Sequence, residues 1–356
     1  MVLAHKLQVA VSGLGRMGQR HALHFLEHTP RASLVAACDP FPASREWAEQ
    51  HLAPYGVKIY ADFDEMLQHE GLEAVIVATP TTFHAEQSIK AINADKHVLC
   101  EKPLSISVEV SQTVVDAAKK RPHLKVMCGF SRRFDASYRD AFSQLENIGQ
   151  ASVIRSQTCD KHDPSGVFVN YAQHSGGLFV DCNIHDIDLI HWFLGAGSRV
   201  KSISAAGITA VAPGLAQWHD VDNGVGIIEF WGGKIAYVYG SRMMAAGQHD
   251  MTEIIGTKGK LVVGGAPQMN FLEVHEATGI RRTIPDSYYG RFREAFITEA
   301  NEFTQCCLDD RELPYTIDEA VQALVVGAAL QESVRTGRKL YFDELGNKVD
   351  HPGTIV

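Results

Sequence analysis

The residues most able to do chemistry are an acid, an imidazole and an amine. Asp181 and His185 lie four residues apart in a segment of helical periodicity, which sets them on one helix face. A carboxylate beside an imidazole orients the ring and holds it near neutrality, the range that suits a general base. Lys102 stands between Glu101 and Pro103 at the end of a strand-like run. An ammonium there can hydrogen-bond a hydroxyl and stabilise a developing alkoxide, with the proline fixing the backbone; Glu101 can reach a ribose. Each has a plainer reading. Asp181 serves as a helix-start acid and His185 as a satisfied core histidine; Lys102 and Glu101 serve as a solvated pair in a loop. Asp181, His185 and Asp188 could also ligate a metal, but no second His/Cys cluster accompanies them and no metal is expected.

Such groups need a partner that accepts electrons, and the N-terminal third supplies one. The first strand-like run, Leu7–Ser12, passes into Gly13-Leu14-Gly15-Arg16-Met17-Gly18, a G-x-G-x-x-G between a strand and a helix. Gly13 permits the tight turn, Gly15 lets the backbone approach a pyrophosphate, and Gly18 lets the helix pack on the strand. The helix N-terminus, with Arg16 and Met17, offers N–H groups to the anion. Asp39 ends the second run, twenty-one residues after Gly18. An acid there accepts hydrogen bonds from both ribose hydroxyls and repels a 2′-phosphate, so NAD is expected over NADP, with Arg45 leaving some tolerance for the latter. A glycine-rich turn that binds nothing, with Asp39 capping the next helix, is the bland alternative. After the fourth run, Thr79 and Pro80 fall at the carboxyl edge of the sheet, where the nicotinamide is expected; His84 either starts the next helix or joins that site.

Those residues need a scaffold, and the pattern of the chain describes one. Residues 7–129 alternate short β-branched runs with helical segments such as Arg16–Glu27 and His84–Asn93, the mark of a parallel sheet covered on both faces. Gly177–Leu194 reads as one amphipathic helix. Strand-like stretches then follow from Val200 to Ile284, broken by Gly, Asp and Asn, and predict a mostly antiparallel sheet. Two helices close the chain, near Gly290–Leu308 and Ile317–Thr336. The expected organisation is a cofactor domain over 1–130 and an α+β domain over 131–356, to which the family resemblance described below assigns substrate binding and oligomerisation.

The 356 residues are 45% hydrophobic, enough for two cores, and the formal net charge of -9 argues against nucleic acid or an anionic membrane surface as partner. No run approaches the ~20 apolar residues of a membrane span, and Met1–Lys6 lead directly into a strand without a signal-peptide pattern. The seven cysteines form no C-x-x-C pair and read as reduced, mostly buried thiols, which predicts a cytoplasmic protein.

The glycine turn, Ala78-Thr79-Pro80, Glu101-Lys102-Pro103, Gly129-Phe130-Ser131-Arg132-Arg133-Phe134-Asp135 and, most strongly, Ser175-Gly176-Gly177 through His185-Asp186-Ile187-Asp188 resemble the Gfo/Idh/MocA oxidoreductases over nearly the whole chain. The inositol 2-dehydrogenases are the most similar subgroup. The resemblance implies a Rossmann domain followed by the α+β domain, and an NAD-dependent oxidation at CH–OH of a cyclic polyol or sugar. It makes Lys102, Asp181 and His185 the catalytic trio: His185 takes the hydroxyl proton, Lys102 polarises the oxygen, and Asp181 positions both. It also brings Glu101 and Lys102 to the cofactor, and implies a homodimer or homotetramer paired through the second sheet. The family's Arg-Asp-Pro appears here as His162-Asp163-Pro164, and its Tyr-Gly-Tyr-Asp as Ala246-Gly247-Gln248-His249-Asp250. Substrate contacts are therefore expected from Arg132 (its neighbour Arg133 making a structural ion pair, or the reverse), Asp163, Asn170, Tyr171, His185, and Gln248 or His249. Tyr288 and Tyr289 either line the pocket or pack on the sheet. A sugar, dihydrodiol or imine oxidoreductase of the same family, and a non-catalytic NAD-binding regulator, are the competing readings.

Overall fold

A computed structural model describes residues 5–195 and 197–351. Met1–Ala4, read above as leading into the first strand, and the last five residues of 131–356 lie outside the described residues. By internal contact the chain forms two units, one of 1–134 with 294–322 and one of 135–293 with 323–356.

The first unit contains β1 (Leu7–Ser12), β2 (Ala32–Cys38), β3 (Lys58–Tyr60), β4 (Ala74–Val77), β5 (His97–Glu101) and β6 (Val126–Gly129), paired parallel in the order β3-β2-β1-β4-β5-β6. That is the strand order of a dinucleotide-binding Rossmann sheet. Strands covered on both faces read as continuous apolar runs rather than alternations, and β4, Ala-Val-Ile-Val, is buried throughout. Helices α1 (Arg16–Leu23), α2 (Pro42–His51), α3 (Phe63–Leu67), α4 (His84–Asn93) and α5 (Val108–Lys119) make the crossovers. Their starts follow local chemistry: Asp62 accepts from the Glu65 N–H and Ser107 from the Val110 N–H, satisfying otherwise orphaned donors.

The second unit opens with α6 (Ala136–Ser143), capped by Asp135, and the long strand β7 (Ala151–Lys161). Three helices follow, α7 (Val167–Tyr171), α8 (Leu178–Asp181) and α9 (Ile184–Leu194). Strands β8 (Val200–Ile208), β9 (Asn223–Phe230), β10 (Lys234–Met244), β11 (His249–Gly256) and β12 (Lys260–Val263) come next, then an exposed hairpin of β13 (Glu273–Glu276) and β14 (Gly279–Arg282). Helices α10 (Tyr288–Leu308) and α11 (Ile317–Thr336) each run from one unit's residues into the other's, and β15 (Leu340–Phe342) and β16 (Lys348–Val349) complete the sheet. Its order is β12-β11-β7-β10-β9-β8-β15-β16, antiparallel except where β10 pairs parallel with β7. The fold class is therefore α/β with a mixed, mostly antiparallel second sheet. Among the described residues, no helix is long and apolar enough to cross a membrane.

One difference from the sequence pattern matters for the site. The predicted helix over Gly177–Leu194 is broken at Cys182-Asn183 into α8 and α9. The Asn183 amide donates to Asp186 Oδ2 at 2.7 Å and to the Tyr239 carbonyl at 3.1 Å, a side-chain competition that favours a helix start over continuation. The predicted spacing of Asp181 and His185 thus spans a junction, not one continuous helix.

Candidate active site

The glycine turn is built as its chemistry requires. Gly13 adopts φ +85, and a methyl on it would lie 2.6 Å from the Thr79 nitrogen. A methyl on Gly18 would lie 1.7 Å from the Gly13 carbonyl oxygen, so helix α1 can approach the turn only with glycine there. Gly15 differs: a methyl on it meets no atom within 4 Å, and Gly15 and Arg16 are exposed at the helix start. Met17 is half-buried behind them. A turn closed where helix meets strand and open at its middle glycine fits a pyrophosphate. Asp39 Oδ2 accepts from the Leu14 N–H at 2.7 Å and Oδ1 from the Phe41 N–H at 2.8 Å, which fixes the carboxylate beside the turn and leaves further lone pairs. Arg45 wraps back onto the Asp39 and Pro40 carbonyls, at 2.9 and 2.7 Å.

At the carboxyl edge of the same sheet, His84 ties two loops together. Its Nδ1 stands 2.8 Å from the Pro103 carbonyl and its Nε2 2.8 Å from the Thr79 carbonyl. Carbonyls only accept, so both ring nitrogens carry hydrogen and the ring is an imidazolium. Burial works to lower its pKa, but Cys100 and the two carbonyls outweigh that and raise it to about 9. The ring's nitrogens are thus committed to backbone, and His84 serves the expected cofactor edge by holding the Thr79 loop against Lys102–Pro103. Thr79 Oγ1 is buried without a hydrogen-bond partner among the described residues, a donor and acceptor beside exposed Pro80.

Lys102 is half-buried, and its N–H lies 3.2 Å from Glu101 Oε2. Glu101 Oε1 meets His21 Nε2 of α1 at 2.7 Å. Burial works to raise the Glu101 pKa, yet the His21 hydrogen bond and the charges of His21, Lys102 and His84 hold it below the usual carboxylate range. Glu299 of α10, in the same unit, is fully buried; burial first and the Glu101 charge second push its carboxyl well above the usual range. His21 and Glu299 escape the sequence analysis because nothing local connects them to Glu101.

The second expected cluster sits at the α8–α9 junction, positioned by the sheet beneath it. Gly224 of β9 and Gly240 of β10 are cross-strand partners, and they flatten the surface. A methyl on Gly224 would lie 2.9 Å from Phe179 Cζ, and one on Gly240 2.2 Å from Asn183 Oδ1. Asp186 anchors α9 from below, accepting from Ser156, Thr158 and Asn183 at 2.6, 2.7 and 2.7 Å. On this base His185 is 5% exposed and stacks on Tyr288 of α10, with ring centroids 5.0 Å apart. Tyr288 therefore packs on the imidazole itself, a contact left open by sequence. Asp181 Oδ2 accepts from Arg242 Nη2 of β10 at 2.7 Å. Arg242 is missed by sequence because the pair is 61 residues apart. Among the described residues, no group of three or more His, Cys, Asp or Glu could hold a metal ion.

The expected substrate residues fall into three settings. Asp163, Asn170 and Tyr171 are exposed on the segment around α7, with Asp163 Oδ1 accepting from the Ser165 N–H. Gln248 is 2% exposed and gives its amide to Asp160 and Asp250, at 2.8 and 3.1 Å, while His249 Nε2 lies 3.1 Å from the Gly264 carbonyl. In the first unit Arg132 is fully buried, and Arg133 pairs with Glu319 at 2.8 Å over the Tyr315 ring, which makes Arg133 the structural member of that pair.

A six-stranded Rossmann sheet with an open glycine turn, an acid at the end of β2 and an amine at the end of β5 defines an NAD-binding oxidoreductase. Residues 7–130 match the model of the oxidoreductase family with an NAD-binding Rossmann fold, and residues 144–262 match the GFO/IDH/MocA C-terminal domain. The chain belongs to the Gfo/Idh/MocA family. It is 34% identical to the scyllo-inositol 2-dehydrogenase (NAD(+)) of Bacillus subtilis, over 96% of this chain and 98% of that one. It is 27% identical to the myo-inositol 2-dehydrogenase of Thermotoga maritima, over 95% and 99%. Among solved structures, scyllo-inositol dehydrogenase from Lactobacillus casei with bound NAD(H) and scyllo-inositol superposes with a TM-score of 0.89 at 33% identity, covering 94% of this chain and 99% of that one.

Proposed function

We propose that this chain oxidises a secondary alcohol of a cyclic polyol of the inositol class, or of a closely similar sugar, using NAD in preference to NADP. One observation carries the reading: a chain with an intact dinucleotide turn also keeps Lys102, Asp181 and His185, in a family whose similar members are inositol dehydrogenases.

Bound NAD supplies the hydride acceptor. The protein's own part is to hold the alcohol and manage its proton. A free hydroxyl is a very poor acid at pH 7, so a base is required, and His185 takes the proton. The Lys102 ammonium hydrogen-bonds the same oxygen and stabilises the charge that develops as the proton leaves. Asp181, ion-paired with Arg242, orients the groups around it. Stacking on Tyr288 restricts the imidazole plane. Asp163, Asn170 and Tyr171 contribute the exposed polar groups that select hydroxyls, and Arg132 and His249 are the further substrate contacts of this reading. Gln248, held by its hydrogen bonds to Asp160 and Asp250, is a fixed amide next to His249.

The outward face of β9 and β10 carries Val225, Ile227 and Ile235, each more than two-fifths exposed, which supports a homodimer or homotetramer formed through this sheet. Seven free cysteines, six of them buried, support a reducing, cytoplasmic setting.

The test is NADH formation with scyllo- and myo-inositol, glucose and xylose at neutral to alkaline pH, with NAD and NADP in parallel. The proposal requires an inositol to be turned over fastest with NAD. Tight NAD binding without turnover of any polyol would instead mark a regulator on the same fold.

A further inference from the structure

Arg242 is a buried cation whose surroundings are unusual for a strand residue. It lies in β10 with 7% of its side chain exposed, and its Nη2 donates to Asp181 Oδ2 at 2.7 Å. Its backbone N–H donates to the Asp222 carbonyl at 2.9 Å, which fixes the residue at its root. The guanidinium carbon stands 5.1 Å from the centre of the Phe168 ring of α7, a cation–π contact. Phe168 is two residues before Asn170 and three before Tyr171 on the same short helix. One planar group therefore touches both the acid of the expected trio and the segment that carries two expected hydroxyl-binding residues.

The charges around it explain why it stays there. Burial by itself would lower the Arg242 pKa; Cys182, Asp181, Asp160 and Asp220 more than offset this and raise it. These groups come from β7, α8 and the stretches that follow α8 and precede β9. Asp160 and Asp220 already have partners of their own: Gln248 donates to Asp160, and the Leu178 N–H and Gln331 donate to Asp220. Asp181 is the carboxylate that Arg242 meets directly, at 2.7 Å. Arginine suits such a place better than lysine, because its planar fork bonds an acid edge while its face stacks on a ring.

We propose that Arg242 is the positioning residue of this active site, holding the Asp181 carboxylate in one orientation and tying it through Phe168 to the α7 segment. The inference rests on the reading of Asp181 as a member of the catalytic group. Arg242 acts through Asp181 and does not touch the reacting atoms. A misplacement of about 1 Å in such a group costs on the order of 100-fold in rate.

The test is a double-mutant cycle on the full chain with an inositol and NAD: wild type, Arg242→Gln, Asp181→Asn and the double variant, each with kcat, KM and NAD affinity. Arg242→Gln is expected to lower kcat by about 10- to 100-fold with NAD affinity unchanged, and to lower it by less than about twofold in the Asp181→Asn background. Equal losses in both backgrounds, or an unchanged kcat, would overturn the inference. An Asp181→Asn variant with full activity would overturn the underlying reading of Asp181 instead. If Arg242→Gln does not fold, Arg242→Lys in both backgrounds carries the same comparison, since it keeps the charge and loses the fork.

Discussion

The buried imidazolium of His84 makes a quantitative demand on the stability of the protein. In the folded chain its pKa is about 9, against an ordinary imidazole value of 6.5. A group whose folded pKa lies above its unfolded one contributes stability that is complete below the unfolded value and disappears as pH rises through the folded value. The distance between the two values corresponds to about 3 kcal/mol below pH ~6, falling to about 2 kcal/mol at pH ~7.5 and to nothing by pH ~10. Glutamine at this position keeps hydrogen-bonding capacity but cannot titrate. Urea unfolding of the wild type and of His84→Gln, measured from pH ~5.5 to ~10, should therefore give a wild-type advantage that shrinks steadily with pH. Ring-nitrogen NMR of His84 should show both nitrogens protonated at neutral pH. Parallel stability curves for the two proteins, or a ring that titrates near its ordinary value, would refute the assignment of two N–H donors to two carbonyls.

Three other outcomes follow from the local surroundings of single residues. Gly15→Ala should fold with near wild-type stability and bind NAD more weakly, measured by cofactor fluorescence, because its methyl enters only the open space of the turn; Gly18→Ala should be strongly destabilised in thermal unfolding, because its methyl meets the Gly13 carbonyl. The Glu299 carboxyl pKa is raised by burial and by Glu101, so folding favours its protonated form. Its penalty on the folded state therefore grows as pH rises above the ordinary carboxylate range, and Glu299→Gln should be more stable than wild type at pH 8 with the gain vanishing near pH 4.

Much of the scaffold could be read directly from residue patterns, for local reasons. Helix α4 over His84–Asn93 and helix α11 over Ile317–Thr336 coincide with their apolar periodicity, and the glycine turn falls between β1 and α1 as its spacing requires. The break between α8 and α9 could not be read that way, because it depends on a carbonyl of Tyr239 that the Asn183 amide finds only in the folded sheet. Parallel pairing of β7 with β10 was likewise hidden, since an apolar alternation does not state the direction of its neighbour. The candidate site divides in the same manner. Lys102, Asp181 and His185 can be nominated from residue type and from the family resemblance. Their supports, His21 on Glu101, Arg242 on Asp181 and Tyr288 on His185, are joined across 80, 61 and 103 positions, and only the fold brings them together. His84 was visible as a residue, but its charge follows from two carbonyls that no sequence pattern displays.

In the proposed reaction an amine and an imidazole manage the proton of the alcohol being oxidised. The direct measurement is steady-state NADH formation from an inositol by the wild type, Lys102→Ala and His185→Ala, with NAD affinity determined on each. Each variant is expected to fold and still bind NAD, and to lose about 10²- to 10⁴-fold in kcat/KM. Turnover at the wild-type rate in either variant would contradict it.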